Sequence, residues 1–211
     1  MNYHNITYPD MNNGEGLRVV LWLSGCSHKC RGCQNPQTWD ANSGILFDES
    51  AKEELFRELD KDYISGLTLT GGDPLFESNL DDVLDLVTEV NKRYNTPQYI
   101  DSNDANNHNI LNADTNKIRL SMSQKSIWLY TGFTWEDIFS RIYAKEHIIT
   151  TYPEKYQIYR QHIIKNCDVL VDGQYIDSQR DMTLPYRGSN NQRLIDIKQS
   201  LQKGEIVLWQ A

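Results

Sequence analysis

Leu17-Arg18-Val19-Val20-Leu21-Trp22-Leu23 runs through Ser24-Gly25 into Cys26-Ser27-His28-Lys29-Cys30-Arg31-Gly32-Cys33, and this junction decides how the chain folds. The first seven residues are apolar but for Arg18, the near-continuous run of a strand covered on both faces. The next segment carries three thiols in eight residues, spaced C-x3-C-x2-C. A rigid strand thus delivers a loop whose thiolates can wrap one inorganic centre. Three readings fit the thiols taken alone. They are unrelated small core residues, or a structural zinc site with His28 completing a Cys3His set, or the three-cornered grip on a four-iron cluster whose last iron stays open to a small ligand. Only 4 of 211 residues are Cys, so three in one loop argues against the first. The rest of the chain has to separate the other two.

Working outward, Gly66-Leu67-Thr68-Leu69-Thr70 reads as a second strand that runs into Gly71-Gly72-Asp73-Pro74. Adjacent glycines at the carboxyl end of a strand permit positive φ and close backbone approach to a ligand, and in α/β folds that edge is where ligands sit. Asp73 is expected to place a carboxylate at the rim. A plain strand-to-helix turn is the alternative. Ser50-Ala51-Lys52-Glu53 has the form of a capping box before a helix carrying Leu55, Phe56 and Leu59. Ser78-Asn79-Leu80-Asp81 is read as the cap of another, with Leu80, Val83, Leu84, Val87 and Val90 as its core stripe. Strand and helix alternate, which implies a parallel sheet.

Further strands are expected at 126–131, ending at Gly132, at 167–173, ending in Asp172-Gly173, and at 205–209. Thr134-Trp135-Glu136-Asp137 caps a helix after the first of these. Cys167 reads as a small buried residue. Residues 1–16 read as loop, and Arg187-Gly188-Ser189-Asn190-Asn191-Gln192-Arg193 as a polar recognition segment or a solvated loop. The polar stretch 95–125 reads as a surface insertion, with a short edge strand or hairpin near Ile118, Leu120 and Met122.

Composition narrows the class. The chain has 24% charged and 39% hydrophobic residues, ordinary for one soluble globular domain spanning 1–211. Net charge is -8 with only short basic pairs, so no nucleic-acid duplex partner is expected. No apolar run reaches a membrane span and the first residues lack a signal core, so no membrane partner and a cytoplasmic location are expected. Reduced thiols fit that compartment and speak against a disulfide.

The spacing of Cys26, Cys30 and Cys33 resembles the signature of radical S-adenosylmethionine enzymes, and Thr70-Gly71-Gly72-Asp73-Pro74 resembles their methionine-binding turn, with Asp where Glu is commoner. Ser24-Gly25-Cys26, Gly32-Cys33 with Asn35 and Trp39, Leu67 to Leu75, Trp128-Leu129-Tyr130-Thr131-Gly132, Val169 to Gly173, and Arg187-Gly188-Ser189 with Asn191-Gln192-Arg193 resemble, in order, the activating proteins of anaerobic ribonucleoside-triphosphate reductase. The stretches 95–125 and about 143–160 look like insertions relative to compact members. Gln34 stands where the family usually has an aromatic residue.

The resemblance implies an α/β fold, a partial (βα) barrel of the radical S-adenosylmethionine type with a mostly parallel sheet and outer helices. It implies a 4Fe-4S cluster on Cys26, Cys30 and Cys33, and S-adenosyl-L-methionine held against Gly32, Cys33, Gln34, Gly71, Gly72 and Asp73. Asp73 would orient the cofactor's amino group or only cap its turn, and His28 would be a solvated spacer. No catalytic side chain is expected beyond the cluster. The implied activity is reductive cleavage of the cofactor to generate a glycyl radical on the reductase large subunit, with a flavodoxin-like electron donor. Two alternatives stay open: an activase of another glycyl-radical enzyme, of the formate-lyase type, which the Arg187-Gly188-Ser189 segment disfavours, and a non-enzymatic zinc-stapled binding module.

Overall fold

A computed structural model describes residues 1–96, 98–101, 117–120, 124–139 and 152–210. The expected insertion at 95–125 falls mostly outside them, and half of the one at 143–160 does, its second half being helical. Of the first, β5 (Gln98–Asp101) and β6 (Lys117–Leu120) are described and pair as an antiparallel hairpin, the form expected around Ile118 and Leu120.

The main sheet has seven strands in the order β3-β1-β2-β4-β7-β8-β9. Its centre, β2 (Leu17–Leu23), β4 (Ile64–Gly71), β7 (Ser126–Tyr130) and β8 (Val169–Asp172), is parallel throughout. The flanking strands β1 (Asn2–Asp10), β3 (Ile45–Leu46) and β9 (Arg193–Asp196) are antiparallel, and the sheet is open. Helices α1 (Glu49–Leu59), α2 (Leu80–Val90), α3 (Trp135–Phe139) and α4 (Tyr152–Lys165) lie between the parallel strands in sequence, as βα alternation requires, and α5 (Ile197–Lys203) follows β9. The parallel core is as expected, and the result is a mixed α/β sheet without closure into a barrel.

Alternation along each strand sends side chains to two cores. Val19, Leu21, Leu67, Leu69, Ile127 and Leu129 pack with the buried residues of the helices. On the other face Trp128, Val169, Val171 and Leu194 form a smaller cluster with Tyr130, Tyr186 and Trp209. Arg18, expected only to interrupt an apolar run, is fully buried and bolts three strands together. Its Nε donates to Thr68 Oγ1 at 2.6 Å, and Nη2 donates to Leu67 O at 2.6 Å and Ser126 O at 2.9 Å. Burial lowers its pKa to about 10, against the smaller opposing pull of Tyr130, Asp168 and Glu15.

Several local expectations are corrected. Residues 1–16 are not all loop, because Asn2–Asp10 form β1 against β2, with Tyr3 and Ile6 buried in the main core although most residues beside them in sequence are polar. The N-cap of α1 is Asp48, whose carboxylate accepts from Ala51 N, rather than Ser50. The cap of α2 is Asn79, and its side chain donates instead to the carbonyls of Ser24 and Asp73. Leu86 takes the buried place on α2, while Leu84 packs at the margin. Residues 205–209 contribute a single bridge, Ile195 to Leu208, in place of a strand, while strand Arg193–Asp196 begins at the last residue of the segment read as recognition loop. The Thr134 cap holds, with Oγ1 accepting from Asp137 N at 3.1 Å. Cys167 is buried as expected, and burial raises its thiol pKa strongly.

Candidate metal centre

The sheet register brings the two motifs side by side. Leu23 at the end of β2 pairs with Gly71 at the end of β4, so the cysteine loop and the glycine turn leave the same edge. Backbone bonds then join them: Gly72 N donates to Leu23 O at 2.7 Å and Asp73 N donates to Gly25 O at 2.8 Å. Gly71 adopts φ +96°, which a side chain would strain. Gly72 is required for a different reason, since a Cβ there would stand 2.5 Å from Gly25 O. Its close approach is to this chain's own backbone, and its N–H is already bonded.

A cavity of about 760 Å³ opens at this edge and is lined by Cys26, Cys30, Cys33, Gln34, Gly71, Gly72 and Asp73. Every expected site residue except Gly32 therefore meets in one place. Gly32 instead gives the loop its turn at φ +75°, packed against Asp177. The three thiols are free and half-buried, as apt ligands with an access path must be. Burial raises the Cys26 thiol, with the Asp73 carboxylate adding to it, and burial raises Cys30. Binding a metal there displaces protons. Among the described residues no three His, Cys, Asp or Glu side chains converge to hold a single metal ion. Cys26, Cys30 and Cys33 all line this cavity, and three cysteine thiolates are a donor set that a 4Fe-4S cluster can take. The cavity falls within the range that takes a nucleotide-sized ligand.

Two expectations about side chains change here. Asp73 is not at the rim: it is 1% exposed, and its carboxylate accepts from Leu75 N at 2.8 Å, Gly132 N at 3.1 Å and Thr131 Oγ1 at 2.9 Å. His28 is not a solvated spacer. Its side chain is 10% exposed, with Nε2 at 2.9 Å from Asp73 Oδ2, although the N–H is not aligned on that oxygen. Its ring stands edge-on to Phe133 at 4.6 Å between centroids.

The far wall comes from Tyr130 at the end of β7, Thr131 and Gly132 just after it, and Gly173 and Gln174 just after β8. All but Gln174 lie in segments singled out in the sequence, though none is assigned there as a site residue. The strand-terminal Thr-Gly and Asp-Gly pairs were the available signal. The segment 187–192 closes the cavity as an internally bonded loop, with Gln192 Oε1 accepting from Gly188 N at 2.9 Å and Arg187 Nη1 donating to Gln192 O at 3.1 Å. Arg193 faces away from recognition. It pairs with Asp172, which is 1% exposed, and with Glu136, tying β8, β9 and α3 together.

Comparison with known proteins agrees with this geometry. Residues 12–118 and 103–195 match the family described as 4Fe-4S single cluster domain. The chain is 36% identical over 194 residues to the anaerobic ribonucleoside-triphosphate reductase-activating protein of Enterobacteria phage T4, covering 92% of this chain and 93% of that protein. It is 31% identical to the protein of that name from Vibrio cholerae, over 91% of this chain and 96% of the relative. With the Escherichia coli K12 protein of that name the identity is 29% over the same shares. The chain thus belongs to the family of anaerobic ribonucleoside-triphosphate reductase-activating proteins, built on a 4Fe-4S single cluster domain.

Proposed function

We propose that this protein activates the large subunit of an anaerobic ribonucleoside-triphosphate reductase by generating its glycyl radical. The observation that carries this reading is the meeting of Cys26, Cys30 and Cys33 with the Gly71-Gly72 turn in one cavity at the carboxyl edge of a parallel sheet. Cys26, Cys30 and Cys33 would hold the 4Fe-4S cluster. Gly71, Gly72, Gln34 and the backbone at Gly32 and Cys33 would hold S-adenosylmethionine. Bound there, the cluster and S-adenosylmethionine would supply the one-electron reductive chemistry needed to generate a glycyl radical on the reductase. A low-potential donor of the flavodoxin type and a cytoplasmic setting go with that chemistry.

The chain's own part is binding, orientation and exclusion of water. The loop–turn junction fixes the thiols relative to the cofactor site. The Asp73 carboxylate accepts from Leu75, Thr131 and Gly132 and so caps the turn. The open sheet with its parallel centre is read as a partial (βα) barrel of the radical S-adenosylmethionine type in a single domain. The test is anaerobic incubation of the reconstituted protein with S-adenosylmethionine, a reductant and purified reductase. A glycyl-radical signal by electron paramagnetic resonance supports the reading, and cofactor cleavage without that signal, but with one on a formate-lyase-type partner, reassigns the substrate.

A further inference from the structure

The cysteine loop is pinned at its start, where Gly25 N and Cys26 N donate to the carbonyls of Thr38 and Trp39. Within it, the backbone N–H groups of His28 and Lys29 bond the Cys26 sulfur, Cys33 N donates to Cys30 O at 3.1 Å and Asn35 N donates to Cys33 Sγ at 3.3 Å. Lys29, between two of the thiols, sits at φ +47°, a conformation that an L residue with a long side chain keeps only when its surroundings enforce it. The neighbouring residue supplies the enforcement. The imidazole of His28 reaches across the cavity wall to three other strand ends: Nε2 lies 2.9 Å from Asp73 after β4, the ring covers Gly132 and Phe133 after β7, and Nδ1 accepts from Gln174 Nε2 at 3.1 Å after β8. The Gln174 amide nitrogen can only donate, which leaves the proton of a neutral ring on Nε2, on the Asp73 side. Gly132 is shaped to this ring, since a Cβ there would stand 2.4 Å from His28 Cδ2.

We propose that His28 is a positioning residue, a latch that closes the cysteine loop over Asp73, Gly132 and Gln174 and so presets Cys26 and Cys30 before any metal arrives; its relevance to the cluster rests on the ligand assignment above. The ring acts through the thiols on either side of it.

The test uses the full-length, metal-free protein under anaerobic conditions. Iodoacetamide labelling at fixed pH, resolved by mass spectrometry, gives separate rates for Cys26, Cys30 and the buried Cys167, which reports global opening. His28→Ala should label Cys26 and Cys30 about tenfold faster while Cys167 stays protected, the signature of local rather than global release. Gly132→Ala, which displaces the ring, should do the same, and His28→Gln, which keeps a donor toward Asp73, should return towards wild-type rates. After reconstitution, His28→Ala should also lose iron to a chelator faster. Unchanged Cys26 and Cys30 rates in His28→Ala overturn the latch. If that variant opens globally and exposes Cys167, Gly132→Ala decides: faster labelling confined to the loop supports the latch, and wild-type rates overturn it. Failure of the wild-type protein to assemble a cluster would refute the ligand assignment and leave the labelling result standing.

Discussion

The backbone N–H of Asp73 donates to the carbonyl of Gly25 at 2.8 Å, so the residue before the first loop cysteine and the residue after the glycine pair are bonded directly. The two motifs are consequently one rigid unit. Gly72, beside this bond, has no room for a side chain, its virtual Cβ standing 2.5 Å from Gly25 O. Gly72→Ala should therefore part the loop from the turn and destabilise the protein by about 1–3 kcal/mol, the usual scale for forced repacking. Denaturant unfolding and iron retention after reconstitution should fall together. An unchanged unfolding midpoint would show that the junction is softer than its geometry implies.

Arg18 gives a second stability prediction. Replacing it with Met keeps bulk but removes the donors to Leu67 O and Ser126 O. Each buried carbonyl left without a partner costs about 1–3 kcal/mol, so urea unfolding of Arg18→Met should show a loss of several kcal/mol.

The Arg193 network sets a pH dependence. Hydrogen bonding from Arg193 lowers Glu136 from 4.5 to about 2. A carboxylate whose folded pKa is depressed stabilises the fold above its unfolded pKa and loses that contribution as pH falls through the folded value. The wild type should thus exceed Glu136→Gln in stability at neutral pH, with the difference closing between pH 4.5 and about 2. Glu136 is 60% exposed, so the difference is small and salt-sensitive. Urea midpoints measured across that range check it.

Cys167 separates ligand from bystander. It is buried, with Sγ donating to Ile163 O at 3.3 Å. Cys167→Ala should leave iron and sulfide content at wild-type levels while lowering thermal stability slightly. Loss of the cluster in this variant would place a fourth thiol at the centre.

What could be read in the chain was whatever rests on local chemistry. The apolar run at 17–23, the thiol spacing and the paired glycines at 71–72 each carry their reason in adjacent residues, and all met at one edge. What depends on distant partners was hidden. Arg18 carried no reading of its own within the apolar run, and Asp73 read as a rim carboxylate, until three strands and two loops surrounded them. His28 read as a spacer because Gly132, Phe133 and Gln174, which bury it, lie more than a hundred residues away. Strand β1 went unread because Tyr3 and Ile6 are spaced too unevenly for alternation, a consequence of its register shifts against β2.

The central claim is that Cys26, Cys30 and Cys33 hold an iron–sulfur cluster competent to cleave S-adenosylmethionine. It is tested most directly by quantifying iron, labile sulfide and 5′-deoxyadenosine in anaerobically reconstituted wild-type and Cys30→Ala protein. The expected result is about four irons and four sulfides per chain with nucleoside formed in the wild type, and none formed in the variant. Stoichiometric zinc without sulfide in the wild type, or undiminished nucleoside formation by Cys30→Ala, would contradict it.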